Sequence, residues 1–588
     1  MKYPKIPLAQ TVVELFKAKN IQHIVISPGS RNAPLTIGFT NDSYFKCYSV
    51  VDERSAAFFA LGIAQQIKYP VAVVCTSGSA VLNYYPAVAE AFYSDIPLVV
   101  VSADRPKHLI GIGDGQTINQ KNVFENHCLH SANLKLDIKD ENNIPNDDDL
   151  PIFKNLEDRI ERFLGLEKDI QSFNEEEINF AINKAILKKG PVHINVPFDE
   201  PLYELVDELK VKPKVTKIET KPKTVDSYTL QECLEHWNNA AKKMVLVGAC
   251  APGSIEQQWL DELAEDDSVM VLTETLSNLH HPDFFPCIDQ LITPFTEEDQ
   301  KLFQPDVLLT FGGMIVSKRI KSLLRKFQPK EHWHVDEKFA PDTFFCLEKH
   351  IETTPNQFLS AFLPKITHYV KSDYKEDWTK VKEQRTLAHY KYLKTIPFSD
   401  LKAFEALMNV IPDSWVVQVG NSSAIRYMQL FSIKPSLDVY CNRGTSGIDG
   451  CTSTAVGFAS ASKKPVVFIT GDLGFFYDSN GLWNNYIPHT FRIILINNHG
   501  GGIFRILPGH KDTESFDTYF ETTHDLSAKQ LSKMYHFEYA QAETDLQLKN
   551  RLQTFFEPSD KPKLLEIFTP RLANDKVLLD YFESLTQS

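Results

Sequence analysis

The sequence has few of the features that mark membrane, secreted or nucleic-acid-binding proteins. No apolar run reaches the roughly 18 residues that a membrane-spanning helix needs, and the first stretch, MKYPKIPLAQTVVELFKAKN, has no apolar core like that of a signal peptide. Basic residues are in deficit, at 62 Lys and Arg against 76 Asp and Glu, which argues against a general nucleic-acid binder. We therefore expect a cytoplasmic protein with no membrane span and no nucleic-acid partner.

Paired cysteines and nucleotide fingerprints are also missing. The nine cysteines are odd in number and never form CxxC, which favours scattered reduced thiols over disulfides or a zinc site. No clear GxGxxG follows a strand, since VGACAPGS at 247–254 has the wrong spacing. A nucleotide-binding protein such as a dehydrogenase is therefore a weakly supported alternative.

What the sequence does contain is a repeated alternation of strand-like and helix-like segments. Apolar, β-branched runs bounded by Gly, Pro, Ser or Asp alternate with segments of helical period, which predicts the α/β class with doubly wound parallel sheets. The runs fall into three groups: 23–27, 71–75, 98–102 and 192–196; 244–250, 269–275, 307–313 and 332–336; and 415–420, 466–472, 492–498 and 563–570.

These groups suggest three domains. We place a first α/β domain at 1–205, a central one with flanking linkers at 206–389, and a third at 390–588. The stretch 210–226 is rich in Lys, Thr and Pro, and 370–400 is polar, as expected of linkers. The acidic segment 136–153 reads as a solvated surface excursion, although its three consecutive aspartates also allow a metal-binding interpretation.

The third domain carries a candidate metal site. Asp472 ends one predicted strand, and Asn498 ends the next, 26 residues later. Because parallel strands have their carboxyl ends at one edge of a sheet, the two side chains should converge there. A carboxylate and an amide oxygen suit Mg²⁺, and the glycines after Asn498 would let a diphosphate approach the backbone. The alternative for Asp472 alone is a helix cap.

The Gly-Asp and Asn-Asn pairs at this spacing resemble the diphosphate-binding motif of thiamine diphosphate (ThDP) enzymes, with Leu473 in place of the usual third glycine. The resemblance implies ThDP and Mg²⁺ (or Mn²⁺) as cofactors, and an architecture of three α/β domains. It implies metal ligands at Asp472, the Asn498 side chain and the Gly500 carbonyl.

The same resemblance gives a role to Glu53, which heads the predicted helix 53–67. It implies that this carboxylate activates the cofactor aminopyrimidine at N1′. Acidic residues are also favoured in any first helical turn, by ~0.3–1 kcal/mol. The family places each site between the first domain of one subunit and the third of another, which implies a homodimer or a dimer of dimers. Ile448 would support the bent cofactor, and Ile503, Phe504 and Leu507 would line it and the substrate; for all four, core packing is the alternative.

Four arginines lie in loops or helix starts at strand ends, where arginine forks could bind carboxylates. They occur in the strings SPGSRNAPL, SADRP, GNSSAIR and CNRGTSGIDG: Arg31, Arg105, Arg426 and Arg443. Taken singly, each could equally be half of a structural ion pair. Together with a cofactor site on the same sheet edges, they indicate anionic substrates.

With DERSAAFFALGIA, TSGSAVLNYYPAVAEA and INNHGGGIF, these strings resemble the branch of the ThDP family that acts in menaquinone biosynthesis. The resemblance implies a transferase that decarboxylates 2-oxoglutarate and adds the succinyl-semialdehyde carbanion equivalent to isochorismate. It assigns Ser422, Arg426 and Arg443 to 2-oxoglutarate, and the following residues to isochorismate: Ser30, Arg31, Arg105, Gln116 and Lys318. For Lys318, an exposed helix lysine is the alternative. Another ThDP carboligase or 2-oxoacid decarboxylase, of the acetolactate-synthase type, is the other open function.

Overall fold

The chain folds as two compact units. The computed structural model describes residues 2–137, 167–218, 223–367, 370–507, 509, 511 and 513–586. One unit comprises Met1–Thr220, Asp449–Lys463 and Asp478–Pro488, and the other comprises Lys221–Ile448, Lys464–Tyr477 and His489–Ser588. The predicted acidic surface segment lies, except for its first two residues, outside the described residues. The boundaries 1–205, 206–389 and 390–588 stay a prediction.

The strands are short and mostly buried. In chain order they are β1 (Tyr3–Pro4), β2 (His23–Ile26), β3 (Lys46–Ser49), β4 (Val71–Cys75), β5 (Leu98–Asp104), β6 (Ser131–Asn133), β7 (Val192–Pro197), β8 (Leu205–Val206), β9 (Lys243–Val247), β10 (Val269–Thr273), β11 (Val307–Phe311), β12 (Glu331–Val335), β13 (Lys349–Ile351), β14 (Val416–Val419), β15 (Asp438–Cys441), β16 (Val466–Gly471), β17 (Arg492–Asn497), β18 (Glu538–Ala542) and β19 (Lys563–Phe568).

Helices connect these strands. The α-helices are Pro7–Ala18, Ala33–Thr40, Glu53–Ile67, Ser79–Asn83, Tyr85–Tyr93, Glu167–Lys188, Ser227–Asn239, Gln257–Glu265, Ile288–Ile292, Glu297–Leu302, Lys318–Lys326, Pro355–Phe362, Tyr374–Leu393, Asp400–Val410, Ser423–Met428, Cys451–Ala461, Asp472–Tyr477, Ile503–Ile506, Glu514–Phe516, Lys529–Met534, Asp545–Phe555 and Asn574–Ser584. Short 3₁₀ turns occupy Lys107–Leu109, Glu125–His127, Thr275–Ser277, Leu363–Lys365 and Ser479–Leu482, and a π-helical turn occupies Asp517–Glu521.

Three parallel sheets confirm the predicted fold class. Their strand orders are β3-β2-β4-β5-β7-β6, β10-β9-β11-β12-β13 and β15-β14-β16-β17-β19-β18. Within each of these sheets the paired strands run parallel; the small β1–β8 pair is antiparallel. Strands of this kind place their carboxyl ends at one edge, and β14, β16 and β17 are neighbours there.

Strand β9 of the central sheet shows why a buried parallel strand is apolar at successive positions. Along β9, Val245 and Val247 belong to one buried cluster, whereas Met244 and Leu246 belong to another. Successive side chains point to opposite faces of a strand, so both faces of this sheet are covered.

The helix that begins at Glu53 packs closely on the helix Cys451–Ala461 in the first unit. A Cβ added to Gly62 would lie 2.0 Å from the Thr454 carbonyl oxygen, and one added to Gly457 would lie 2.0 Å from the Phe59 carbonyl oxygen. Only glycine permits such an approach of two helix backbones at these positions. The position of the Glu53 helix is therefore fixed by two reciprocal backbone contacts.

All nine cysteines are free thiols. Among the helices that the structure describes, none combines the length and the apolarity needed to cross a membrane.

Candidate active site

Asp472 lies at the carboxyl end of β16, as predicted, and is almost fully buried as the first residue of the helix Asp472–Tyr477. Its carboxylate accepts hydrogen bonds from the backbone N–H of Leu473 (2.7 Å) and of Gly500 (3.0 Å). The His524 Nε2 atom lies 3.4 Å from Oδ2 of Asp472. The bond from Gly500 brings the loop after β17 against Asp472, so the two strand ends converge.

The two consecutive asparagines after β17 have different environments. Asn497 is satisfied at both ends: its Nδ2 donates to Glu566 (2.8 Å), and its Oδ1 accepts from the backbone N–H of His499 (3.1 Å). Asn498 donates from Nδ2 to Asp400 (2.9 Å), but its buried Oδ1 has no hydrogen-bond partner among the described residues. A buried amide oxygen without a partner is costly unless a ligand satisfies it.

The loop after Asn498 requires its glycines. Gly500 has a φ of +150°, and a Cβ there would lie 2.8 Å from the Glu521 carbonyl oxygen. A Cβ on Gly502 would lie 3.1 Å from Nδ2 of Asn498. Side chains are therefore excluded where a diphosphate would approach the backbone.

This oxygen set fits a hard divalent cation on a diphosphate. The Asp472 carboxylate, the open Asn498 oxygen and the Gly500 carbonyl belong to adjoining loops, and carboxylate, amide and carbonyl oxygens suit Mg²⁺ or Mn²⁺. In the part of the chain that the structure describes, no three His, Cys, Asp or Glu side chains gather as a metal site. Metal binding here would therefore depend on the amide and the backbone oxygen as well as the carboxylate.

A second buried carboxylate lies behind the asparagine. Burial raises the pKa of Asp400 to about 6, and the neighbouring Asp472 adds to that rise while hydrogen bonds from Thr569 and Asn498 oppose it. Sequence reasoning missed Asp400, because a Ser-Asp pair at a helix start reads as an ordinary cap and its partners lie 98 or more residues away.

The apolar residues assigned to the cofactor wall are not core residues. Phe504 and Leu507 are 37% and 51% exposed, and Ile448 and Ile503 are partly buried. Exposed apolar side chains beside a polar loop are typical of a ligand surface. Core packing, the alternative given above, does not account for Phe504 and Leu507.

The two third-domain arginines lie close together, and one of them is unpaired. Arg443 donates from Nη1 to Asn421 (2.9 Å). Arg426 is half-buried and forms no hydrogen bond or ion pair with any described residue, and its Nε is fully buried without a partner. Burial, and then the charge of Arg443, lowers the pKa of Arg426, while Asp289 and Glu274 oppose the effect. Such an arginine is prepared to bind an anion.

Ser422 lies in a tight turn between β14 and the helix that carries Arg426. Its φ is +69°, which is unusual for a residue other than glycine. Strained backbone of this kind is characteristic of ligand-binding turns.

The central domain places a second lysine, Lys321, near the predicted Lys318. Lys318 is the first residue of the helix Lys318–Lys326 and is exposed, with no described partner. Lys321, one turn later, is half-buried. Burial lowers the pKa of Lys321; Glu274 opposes that effect, and Arg443 adds to it. Lys321 thus belongs to the charged group that contains Glu274 and Arg443. Because residues three apart share a helix face, the position of Lys318 could have pointed to Lys321.

Glu53 heads its helix, as predicted. The N-cap residue Asp52 accepts hydrogen bonds from the Ser55 N–H (3.3 Å) and from Asn480 (2.8 Å). Asp52, and not Glu53, therefore caps this helix. Glu53 is partly buried and makes no hydrogen bond or ion pair within the described residues. Burial raises the pKa of both Cys75 and Tyr84, and the Glu53 carboxylate adds to each rise. The Glu53 carboxylate therefore lies near these two buried side chains of the first unit.

The two first-domain arginines hold internal carboxylates. Arg31 is almost fully buried and contacts Glu200 at 3.3 Å, and Arg105 contacts Asp114 at 3.1 Å. Burial lowers the pKa of Arg31, and Arg105 contributes to that decrease, so the two guanidinium groups are near neighbours.

The remaining predicted residues of this half lie on loops beside these arginines. Ser30 is exposed, next to Arg31. Gln116 is exposed with a φ of +53°, and a Cβ on Gly78 would lie 2.8 Å from its carbonyl oxygen. The first unit therefore carries Ser30, Arg31, Arg105, Gln116 and Glu53, and the second unit carries the other predicted site residues.

Three family models match successive parts of the chain. Residues 6–131 match the thiamine pyrophosphate enzyme N-terminal TPP binding domain, 212–385 the middle domain of thiamine pyrophosphate enzymes, and 418–567 the C-terminal TPP binding domain. Thiamine pyrophosphate is another name for ThDP.

Curated relatives match over the full length. A 2-succinyl-5-enolpyruvyl-6-hydroxy-3-cyclohexene-1-carboxylate synthase of Flavobacterium psychrophilum is 55% identical, with 100% of both chains covered. Proteins with the same name from Christiangramia forsetii (56% identical, 99% of both chains) and Porphyromonas gingivalis (35% identical, 97% of this chain and 96% of the relative) are also similar.

Proposed function

The chain belongs to the 2-succinyl-5-enolpyruvyl-6-hydroxy-3-cyclohexene-1-carboxylate synthase family of ThDP enzymes, and from that premise we propose its reaction. It decarboxylates 2-oxoglutarate and transfers the remaining four-carbon unit to isochorismate by conjugate addition, a step of menaquinone biosynthesis. The observation that carries the proposal is Arg426, a half-buried arginine near Arg443 that forms no hydrogen bond or ion pair with any described residue, since two neighbouring guanidinium groups favour an anionic ligand.

ThDP, when bound, supplies the carbon nucleophile and the electron sink for the decarboxylation. Asp472, the Oδ1 atom of Asn498 and the Gly500 carbonyl would hold Mg²⁺ or Mn²⁺ on its diphosphate. Glu53 would hold and release the proton at N1′ of the aminopyrimidine, a role for which it is available because it forms no hydrogen bond or ion pair with any described residue. Ile448 would support the ring system from below.

Arg426, Arg443 and Ser422 bind the carboxylate of 2-oxoglutarate in this proposal. Bidentate guanidinium contacts fix both the position and the orientation of a carboxylate, so the keto carbon is presented in one geometry. The exposed apolar side chains of Phe504 and Leu507, with Ile503, become covered when substrate binds and exclude water from the reacting carbon.

Isochorismate binds on the first-domain loops, at Ser30, Arg31, Arg105 and Gln116, with Lys318 from the central domain. The support is that Arg31 and Arg105 are neighbouring cations, each now holding a carboxylate of the chain, Glu200 or Asp114. A dicarboxylate substrate offers the same chemical group as these two side chains. We propose that it replaces them.

We also propose that the protein is cytoplasmic and forms a homodimer or a dimer of dimers. In this assembly Glu53 of one subunit would serve the metal site of another. Analytical ultracentrifugation with ThDP and Mg²⁺ tests this, and a monomer with full activity would refute it.

The experiment that tests the function is CO₂ release from 2-oxoglutarate with ThDP and Mg²⁺, with and without isochorismate. We expect release to depend on ThDP, and one adduct to form per CO₂ when isochorismate is present. If pyruvate replaced 2-oxoglutarate and isochorismate had no effect, the acetolactate-type alternative would be correct. A reaction independent of ThDP would refute both.

A further inference from the structure

Asp400 lies directly behind the proposed metal ligand Asn498. It is the first residue of the helix Asp400–Val410 and is 2% exposed. One carboxylate oxygen accepts from Asn498 Nδ2 at 2.9 Å, and the other accepts from the Thr569 hydroxyl at 2.6 Å. Both oxygens of a buried carboxylate are thus occupied by donors.

The direction of every bond around Asp400 is fixed. The Thr569 oxygen accepts from Asn574 Nδ2 (3.3 Å), which leaves its single proton for Asp400. The Asn574 oxygen in turn accepts from the backbone N–H of Asp400 (2.8 Å). The Asn498 atom that faces Asp400 is the amide nitrogen, which donates to the carboxylate oxygen not occupied by Thr569.

The opposite end of the Asn498 amide is consequently an oxygen, which is buried and accepts no hydrogen bond from the part of the chain that the structure describes. The neighbouring Asn497 lacks this property, since its oxygen accepts from His499. The loop that carries Asn498 also contacts Asp472, through the N–H of Gly500. Of the two asparagines, only Asn498 therefore has an amide oxygen left for a ligand at this strand end.

We infer that Asp400 is a positioning residue, which holds the Asn498 amide so that its oxygen faces the divalent cation of the diphosphate site. The inference rests on the metal ligands given under the proposed function. Without Asp400 the amide can rotate and present its NH₂ group, which repels a cation. Loss of such an outer partner typically costs about 10- to 100-fold in metal affinity.

The test measures Mn²⁺ binding to the ThDP-saturated protein, from the electron paramagnetic resonance signal of free Mn²⁺. We expect Asp400→Ala to weaken Mn²⁺ binding about 10- to 100-fold. Asp400→Asn should restore most of the affinity, because its amide oxygen can still accept from Asn498 while the Thr569 hydroxyl turns to accept from the new NH₂. A matched control is Glu566→Gln, which alters the buried carboxylate that accepts a hydrogen bond from Asn497. This variant should leave the Mn²⁺ affinity within twofold of that of the unmodified protein.

The outcomes separate the inference from its premise. Asn498→Ala must weaken Mn²⁺ binding; if it does not, the ligand assignment fails and the inference with it. If Asn498→Ala weakens binding while Asp400→Ala binds Mn²⁺ as the unmodified protein does, only the positioning role is refuted. Equal losses in Asp400→Ala and Glu566→Gln would refute it too, because a general loss of packing would then explain both. Should Asp400→Ala not fold, Thr569→Val must weaken binding at least threefold.

Discussion

Replacing Arg426 with methionine should weaken substrate binding without weakening the fold. Most half-buried arginines stabilise a protein through hydrogen bonds, but Arg426 has none within the described residues, and burial lowers its pKa. Methionine keeps the apolar stem and removes the charge. The change therefore deletes a ligand contact while leaving no internal partner unsatisfied.

The expected size follows from the contacts that Arg426 can make. Each hydrogen bond to a charged group contributes about 1.5–3 kcal/mol, so a bidentate contact contributes at least about 3 kcal/mol. At about 1.4 kcal/mol per factor of ten, this corresponds to a loss of about 100-fold in kcat/KM for 2-oxoglutarate. Because the charges of Asp289 and Glu274 partly offset the burial of this guanidinium group, removing it should change the stability by no more than about 1 kcal/mol.

Steady-state kinetics and thermal unfolding without substrate test both halves of this expectation. Arg325→Met is a suitable control, because Arg325 is exposed and has its own contacts, to the Thr343 carbonyl and the Phe345 ring. It should leave the KM for 2-oxoglutarate unchanged. A kcat/KM within threefold of the unmodified enzyme would refute the role of Arg426, as would a loss confined to isochorismate.

Three further substitutions test other parts of the site. Glu53→Gln should lower kcat at least about 100-fold, the usual size of a lost acid–base group, with ThDP affinity by calorimetry nearly unchanged; retained activity would contradict the proton-handling role. Asp114→Asn removes a partly exposed ion pair worth up to about 1 kcal/mol, so the KM for isochorismate should fall by up to about fivefold, and a rise would show that Asp114 supports Arg105 and does not compete for it. Gly62→Ala places a Cβ 2.0 Å from a carbonyl oxygen and should lower the free energy of unfolding by about 1–3 kcal/mol. The control Gly115→Ala, at a position with open space around it, should change that free energy little. Equal stabilities of the two variants in urea unfolding would contradict the close helix contact.

The central strands could be predicted from the sequence, and so could the fully buried edge strand β10, whereas the other described edge strands could not. Every predicted run contains a strand, because a parallel strand covered on both faces is apolar at most positions, although β12 carries the buried His332 and His334. The missed strands are the two-residue pair β1 and β8, together with β3, β6, β13, β15 and β18, which are three to five residues long and lie at the edges of the three parallel sheets. One side of an edge strand faces solvent, so residues such as Lys46 and Glu538 are tolerated and the apolar signal disappears.

The residues of the site also divide into those that local sequence features could locate and those that depend on contacts between distant parts of the chain. Asp472, Asn498 and Glu53 could be placed because strand ends and helix starts are local features with known positions in this fold. Asp400 could not be placed, because its function depends on hydrogen bonds to Asn498 and Thr569 that span 98 and 169 residues. The partners of the arginines were unpredictable for the same reason. Nothing in the string SADRP shows that Arg105 has an ion-pair partner, and nothing in GNSSAIR shows that Arg426 has none among the described residues.

The glycine-mediated contact between the helices Glu53–Ile67 and Cys451–Ala461 has a consequence for how the protein is made. The second helix is synthesised about 400 residues after the first, which at ordinary translation rates is a delay of about 20 to 80 s. Until then the face around Gly62 and Phe59 has no partner from the chain itself. The nascent first unit must therefore stay soluble in an incomplete form, and a fragment that ends near residue 220 would remain in that state.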